Sequence, residues 1–165
     1  SMIASFESVA VRVIRRSLVK HTLSMLADLA QREDEYRRFY AQFGRALKLG
    51  CCASVPRSSR LARLLRYKTS FSGDRMVSLD DYAGRMQEEQ PFIYYATGSC
   101  TAVVASCPII EEFRRLGLEV LYMTDKVDDL VVKVLQEFEG KQFHLISEAD
   151  EILDALNGEK KKNPL

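Results

Sequence analysis

The chain has 165 residues, 47% of them apolar and 28% charged, enough to bury a core and to cover it, which excludes a disordered or fibrous protein. Its 24 Lys and Arg against 23 Asp and Glu leave a net charge of +1, yet residues 1–75 carry 15 basic and 6 acidic groups while residues 76–165 carry 9 and 17. No run of 18 apolar residues occurs to span a membrane, and the opposed charges of the two halves predict packing against neighbouring domains.

The first half reads as helices. Val11, Ile14, Leu18, Met25 and Leu29 step by three, four or seven and predict one apolar stripe on a helix of about twenty residues. A second helix is predicted from Glu33 to Lys48, with the acidic start Glu33-Asp34-Glu35 suited to the helix dipole. Its inner face is aromatic: Tyr36, Phe39, Tyr40 and Phe43, then Leu47. Gly50 is expected to end it and Cys51–Pro56 to form a loop. Ser58 or Ser59 is expected to cap a short helix carrying Leu61, Leu64 and Leu65. Gly73 breaks the chain, and Ser78-Leu79-Asp80-Asp81 has the form of a capping box opening a helix with Leu79, Tyr82, Ala83 and Met86 inward.

The second half alternates strand and helix. Phe92–Ala96 is a bulky, β-prone run suited to a strand buried on both faces. A helical piece around Cys100–Ala105 follows, then a helix with Pro108 in its first turn and Gly117 just past its end. Leu118–Met123 is the second strand. Val127, Leu130, Val131, Val134 and Leu135 mark another helix, Gly140 turns the chain, and Gln142–Ile146 is the third strand. Strand, helix, strand, helix, strand with short links predicts an α/β fold with a short, mainly parallel sheet of about three strands. A last helix is predicted over 149–156, ahead of a frayed basic tail. The divisions expected are 1–75, 76–148 and 149–165.

Chemistry is sparse. His21 and His144 have no Cys or His at metal-ligand spacing, so no zinc site is expected. G-x-S-x-G, C-x-x-C and H-E-x-x-H are absent. The four cysteines, Cys51, Cys52, Cys100 and Cys107, read as reduced thiols. Thr97-Gly98-Ser99, between strand and helix, reads as a tight turn, because neither a G-x-G-x-x-G pattern nor a phosphate-binding Lys accompanies it. Arg57, Arg60, Arg63 and Arg66 recur every third residue and share roughly one side of a helix. The ordinary reading is a solvated face or a contact with an acidic domain; the alternative is a grip on nucleic-acid phosphates. Asp125, Asp128, Asp129, Glu137 and Glu139 read as a solvated rim, with Mg²⁺ coordination or acid–base work as the enzymatic alternative.

Several strings in fixed order carry a resemblance. They are Val13-Ile14-Arg15-Arg16, Phe39-Tyr40 with Phe43, Leu47-Lys48-Leu49-Gly50, Leu61 to Tyr67, Ser78 to Met86, Ile93 to Gly98, Gly117 to Tyr122, and Glu137 to Lys141. Over about residues 11–148 this set resembles the middle region of the 90-kDa heat-shock protein chaperones. The resemblance implies a fragment consisting of a helical coil and a small three-layer α-β-α domain. It implies a parent with an N-terminal ATP-binding domain, a C-terminal domain that makes it a homodimer, client proteins and co-chaperones. It also implies that ATP and magnesium belong to the parent, so that this chain is a monomer without enzyme activity or cofactor of its own. The family's catalytic Arg loop should lie at or before the start of the chain, and Met2–Glu7 does not show it. Ser1 ahead of Met2 looks like the remnant of a cleaved tag, in keeping with a piece of a larger protein.

Client binding in the family's bacterial members involves an acidic residue followed by an aromatic. The corresponding run here is Val127-Asp128-Asp129-Leu130, which keeps the acid as Asp129 and replaces the aromatic by Leu130. Departures such as Cys51-Cys52 after the Leu-Gly, and Cys107 before Pro108, indicate a divergent paralogue. Lys20–Met25 and Glu137–Phe143 lean toward the endoplasmic-reticulum branch, with the cytoplasm or mitochondrion as the alternatives.

Overall fold

The computed structural model describes residues 2–149, 153–154 and 158, residues 3–7 by their backbone alone. Residues 1–44 and 45–165 form two compact units.

The first unit holds α1 (Met2–Leu29) and the start of α2 (Glu33–Ala53). The expected α1 stripe is not a buried one: Val11, Ile14, Leu18 and Met25 are exposed, and among the described side chains of this helix Leu23 is the buried one. Within this unit there is too little partner surface to cover a helix 28 residues long. Tyr36 and Tyr40 of α2 are buried as expected, while Phe43 is exposed and Phe39 packs between Tyr36 and Phe43 at centroid distances of 5.6 and 5.1 Å.

In the second unit α2 runs through Gly50 to Ala53 rather than stopping. The glycine serves packing here: a Cβ on Gly50 would lie 3.3 Å from Leu61 Cδ1, so its absence admits α3 (Val55–Ala62) close to the helix. The loop expected over Cys51–Pro56 shrinks to Ser54, whose extended backbone precedes α3 with Pro56 in the first turn. Ser58 is therefore not a cap; its hydroxyl donates to Val55 O at 2.7 Å inside the helix.

The chain then gives β1 (Arg66–Thr69), β2 (Val77–Ser78), α4 (Leu79–Arg85), β3 (Phe92–Thr97), α5 (Thr101–Ala105), α6 (Pro108–Arg115), β4 (Val120–Met123), α7 (Asp128–Leu135), β5 (Glu137–Phe138) and β6 (Lys141–Leu145). The capping box is present: Ser78 Oγ accepts from Asp81 N at 2.9 Å and Asp81 Oδ2 accepts from Ser78 N at 3.2 Å. The final helix expected over 149–156 and the basic tail lie largely outside the described residues.

The strands form one six-stranded mixed sheet in the order β2-β1-β4-β3-β6-β5, which corrects the expectation of about three strands. The expected parallel trio is its centre: Tyr94 of β3 sits opposite Val120 of β4 and His144 of β6. The additional strands are antiparallel and flank this trio. β1 pairs with β4 and β2, and β5 folds back on β6. These flanking strands are two to four residues long, below the length at which period-two alternation stands out. One face of the sheet, with Tyr94, Ala96, Val120 and Tyr122, packs on Val104, Ile110, Phe113 and Leu116 from α5, α6 and the residue after it. A Cβ on Gly98 would meet Val104 Cγ2 at 2.6 Å, so the Thr97-Gly98-Ser99 turn is a point of close packing.

A second network ties α4 to the sheet. Glu119, 5% exposed, accepts from Thr69 Oγ1 at 2.6 Å and from Arg85 Nε and Nη2 at 3.0 and 2.8 Å. Tyr82 Oη donates to Glu119 O at 2.8 Å and accepts from Gln90 Nε2 and Tyr94 N at 3.0 Å. Among the described residues no helix is long and apolar enough to cross a membrane.

Candidate interaction site at the start of α7

Three aspartates precede and open α7, and the fold separates them. Asp125 makes the turn into the helix: its Oδ1 accepts from Val127 N at 3.1 Å, and its carbonyl from Asp128 N at 2.9 Å. Successive helical residues turn by about 100°. Asp128 and Val131, three apart, point inward and are 0% and 1% exposed, whereas Asp129 and Leu130 point out. Leu130 is 47% exposed.

Asp128 is thus not part of a solvated rim. Its carboxylate meets Lys48 Nζ from α2 at 2.9 Å, the Tyr67 hydroxyl from β1 at 3.0 Å, and Asp125 N at 3.2 Å. The Lys48 ammonium also lies 5.1 Å from the centroid of the Tyr67 ring. Burial pushes the Asp128 carboxyl up from the usual carboxylate range, and the Lys48 charge and the three donated hydrogen bonds pull against it without cancelling it. A carboxylate engaged in this way is an anchor for the helix start. The shared metal or acid–base centre considered from sequence does not assemble: Asp129 faces solvent, Asp128 faces Lys48, and among the described residues no group of three His, Cys, Asp or Glu is placed to hold a metal ion.

The arginine stripe is also broken up. Arg57 and Arg60 lie on α3, but Arg63 ends the helix and Arg66 begins β1. Arg63 bonds to Asp80 and Glu139 and lies over the Phe138 ring, which joins α4 and β5 to the end of α3. Arg66 Nη1 donates to the carbonyls of Arg63 and Leu65, each at 2.9 Å.

Sequence reasoning missed Lys48, Tyr67 and Tyr95. Lys48 stands four residues after Gly44 and three before the buried Cys51, on the inner stripe of α2, and a charge on such a stripe is the signal that it has a buried partner. Nothing local in the sequence points to Tyr67. Tyr95 is half-buried on β3; burial pushes its phenol up, and the negative charges of Asp129 and Glu148 push it further. An aromatic side chain therefore stands in the field of Asp129 although Leu130 is not one.

The Hsp90 protein family matches residues 6–164. Heat shock protein 83 of Leishmania donovani is 41% identical over 133 residues, which cover 81% of this chain and 29% of that protein. The chaperone protein HtpG of Cupriavidus metallidurans is 40% identical over 163 residues, covering 94% of this chain and 26% of that protein. The chain thus spans less than a third of the length of these curated relatives. Among solved structures, the middle domain of a Plasmodium falciparum heat shock protein superposes with a TM-score of 0.76 at 26% identity, over 81% of this chain and 56% of that one. These relatives give no support to the endoplasmic-reticulum branch, nor to the enzymatic and nucleic-acid alternatives. With a family match over nearly its whole length and a fold like that of a heat shock protein middle domain, the chain belongs to the Hsp90 family.

Proposed function

We propose that this segment couples ATP-driven closure of the parent chaperone to client proteins, and that the exposed pair Asp129–Leu130 forms part of the client surface. The observation that carries this reading is the 47% exposure of Leu130 beside an exposed acid, on a helix whose other face is anchored by Asp128. A half-exposed leucine next to a charge offers the shallow mixed contact that promiscuous binding needs. The half-buried Tyr95 adds aromatic area close to Asp129. Nucleotide and magnesium belong to another region of the parent, a homodimer that works in the cytoplasm with co-chaperones. This chain by itself is a monomer that neither hydrolyses ATP nor binds it.

The test is Leu130→Ala in the full-length protein, read by fluorescence anisotropy with a permanently unfolded client. A surface position should keep stability within about 0.5 kcal/mol of the parent, while client affinity falls. Unchanged affinity removes Leu130 from the site.

A further inference from the structure

Helix α1 has two apolar faces, and only one of them is packed. Val19, Leu23 and Leu26, four and three residues apart, are half-buried or buried. Val11, Ile14, Leu18 and Met25 stand about 120° around the helix from them, at about 100° per residue. These four are between 53% and 62% exposed and run along about four turns. A surface helix needs one apolar face, so a second one, left in water, marks a contact surface. The stripe lies on a basic background. Between Ser8 and Ala27 the helix carries Arg12, Arg15, Arg16 and Lys20 and neither Asp nor Glu.

We propose that this stripe is a docking face for the part of the parent's own middle domain that this chain does not contain, and that the docking segment is apolar with acidic flanks. The extent of the structural match points to this occupant. The solved middle domain that shares the fold is matched over 56% of its length, which leaves nearly half of such a domain without a counterpart here. A second copy of this chain is the poorer occupant. A two-fold contact places the same surface on both sides, and it would bring the four cations of each α1 together, where like charges oppose association. The stripe belongs to the first compact unit and the Asp129–Leu130 pair to the second, so this face stands or falls separately from client binding there.

The native methionines supply the test. Hydrogen peroxide is added to the 165-residue chain and to the full-length parent, each with a free methionine peptide as internal standard, and the sulfoxide at each position is followed by peptide mass mapping. In the 165-residue chain Met25, 59% exposed, should oxidise nearly as fast as the standard, and Met123, 2% exposed, should not. In the parent Met25 should slow by about tenfold or more, the mark of a contact open for less than roughly a tenth of the time. Leu18→Glu in the parent should return Met25 to the fast rate by placing a charge inside the contact. The proposal is overturned if Met25 oxidises equally fast in both proteins, or if Leu18→Glu leaves it slow in the parent. It is overturned equally if Met25 is already slow in the 165-residue chain, since this chain or a second copy then covers the stripe. Slowing in the parent only after an unfolded client is added also overturns it, since the stripe is then a client surface.

Discussion

Replacing Lys48 by methionine keeps much of the side-chain volume and removes the charge that faces Asp128. The two side chains are 11% and 1% exposed, so neither water nor salt can take over the interaction. Breaking a pair buried to this degree leaves an uncompensated carboxylate and costs about 3–5 kcal/mol at neutral pH. For a chain of this size that lowers the melting temperature by roughly 6–20 °C. The pH dependence has a definite sign. Burial already raises the folded-state value of Asp128, and loss of Lys48 raises it further, so the folded variant binds more protons than the unfolded chain between about 3.9 and that raised value. Its stability is therefore fully present below the unfolded value and is lost as pH rises through the folded one. Urea titrations at pH 5 and pH 7 should show a smaller gap between variant and parent at the lower pH. The double variant Lys48→Met with Asp128→Asn should recover part of the loss, because the amide carries no charge. A melting temperature for Lys48→Met within about 2 °C of the parent, at most about 1 kcal/mol at this size, or a cost that does not change with pH, would refute the anchoring role of this pair.

Two further expectations follow from buried groups. The Tyr94 hydroxyl is fully buried with no hydrogen-bond partner among the described residues, while its ring packs against Phe113 at 4.8 Å, so Tyr94→Phe should be neutral or stabilising by up to about 1 kcal/mol. A chemical denaturation curve showing a loss above that size would mean that the hydroxyl is held after all. The thiols should react in order with a disulfide reagent at pH 8: Cys100 and Cys107, both exposed, first; Cys52, half-buried and pushed up by burial and by Asp128, later. Cys51, buried and pushed up to about 12 by burial and its neighbour Cys52, should react only on unfolding. Four equivalents consumed in one fast phase would contradict this burial.

The sequence by itself determined the elements whose signals are local. The Ser78 capping box, Pro108 in the first turn of α6, and the bulky run of β3 depend on residues within a few positions of one another, and each stands where the spacing put it. Motif order over most of the chain was enough to identify the family. Tertiary structure decided whatever depends on a distant partner. Gly50 carries the local mark of a helix stop, yet α2 continues because the missing Cβ admits Leu61. The α1 stripe has helical spacing, but periodicity selects a face without supplying something to cover it. The short strands β1 and β5 exist through pairing with β4 and β6, which a two- to four-residue segment cannot announce. At the start of α7 the three aspartates are alike in sequence, and only Lys48, 80 residues away, separates the buried anchor Asp128 from the solvent-facing Asp129. The reason is energetic: a carboxylate enters the core only where an opposite charge and hydrogen-bond donors offset its lost hydration, and here all the side-chain partners come from elsewhere in the fold.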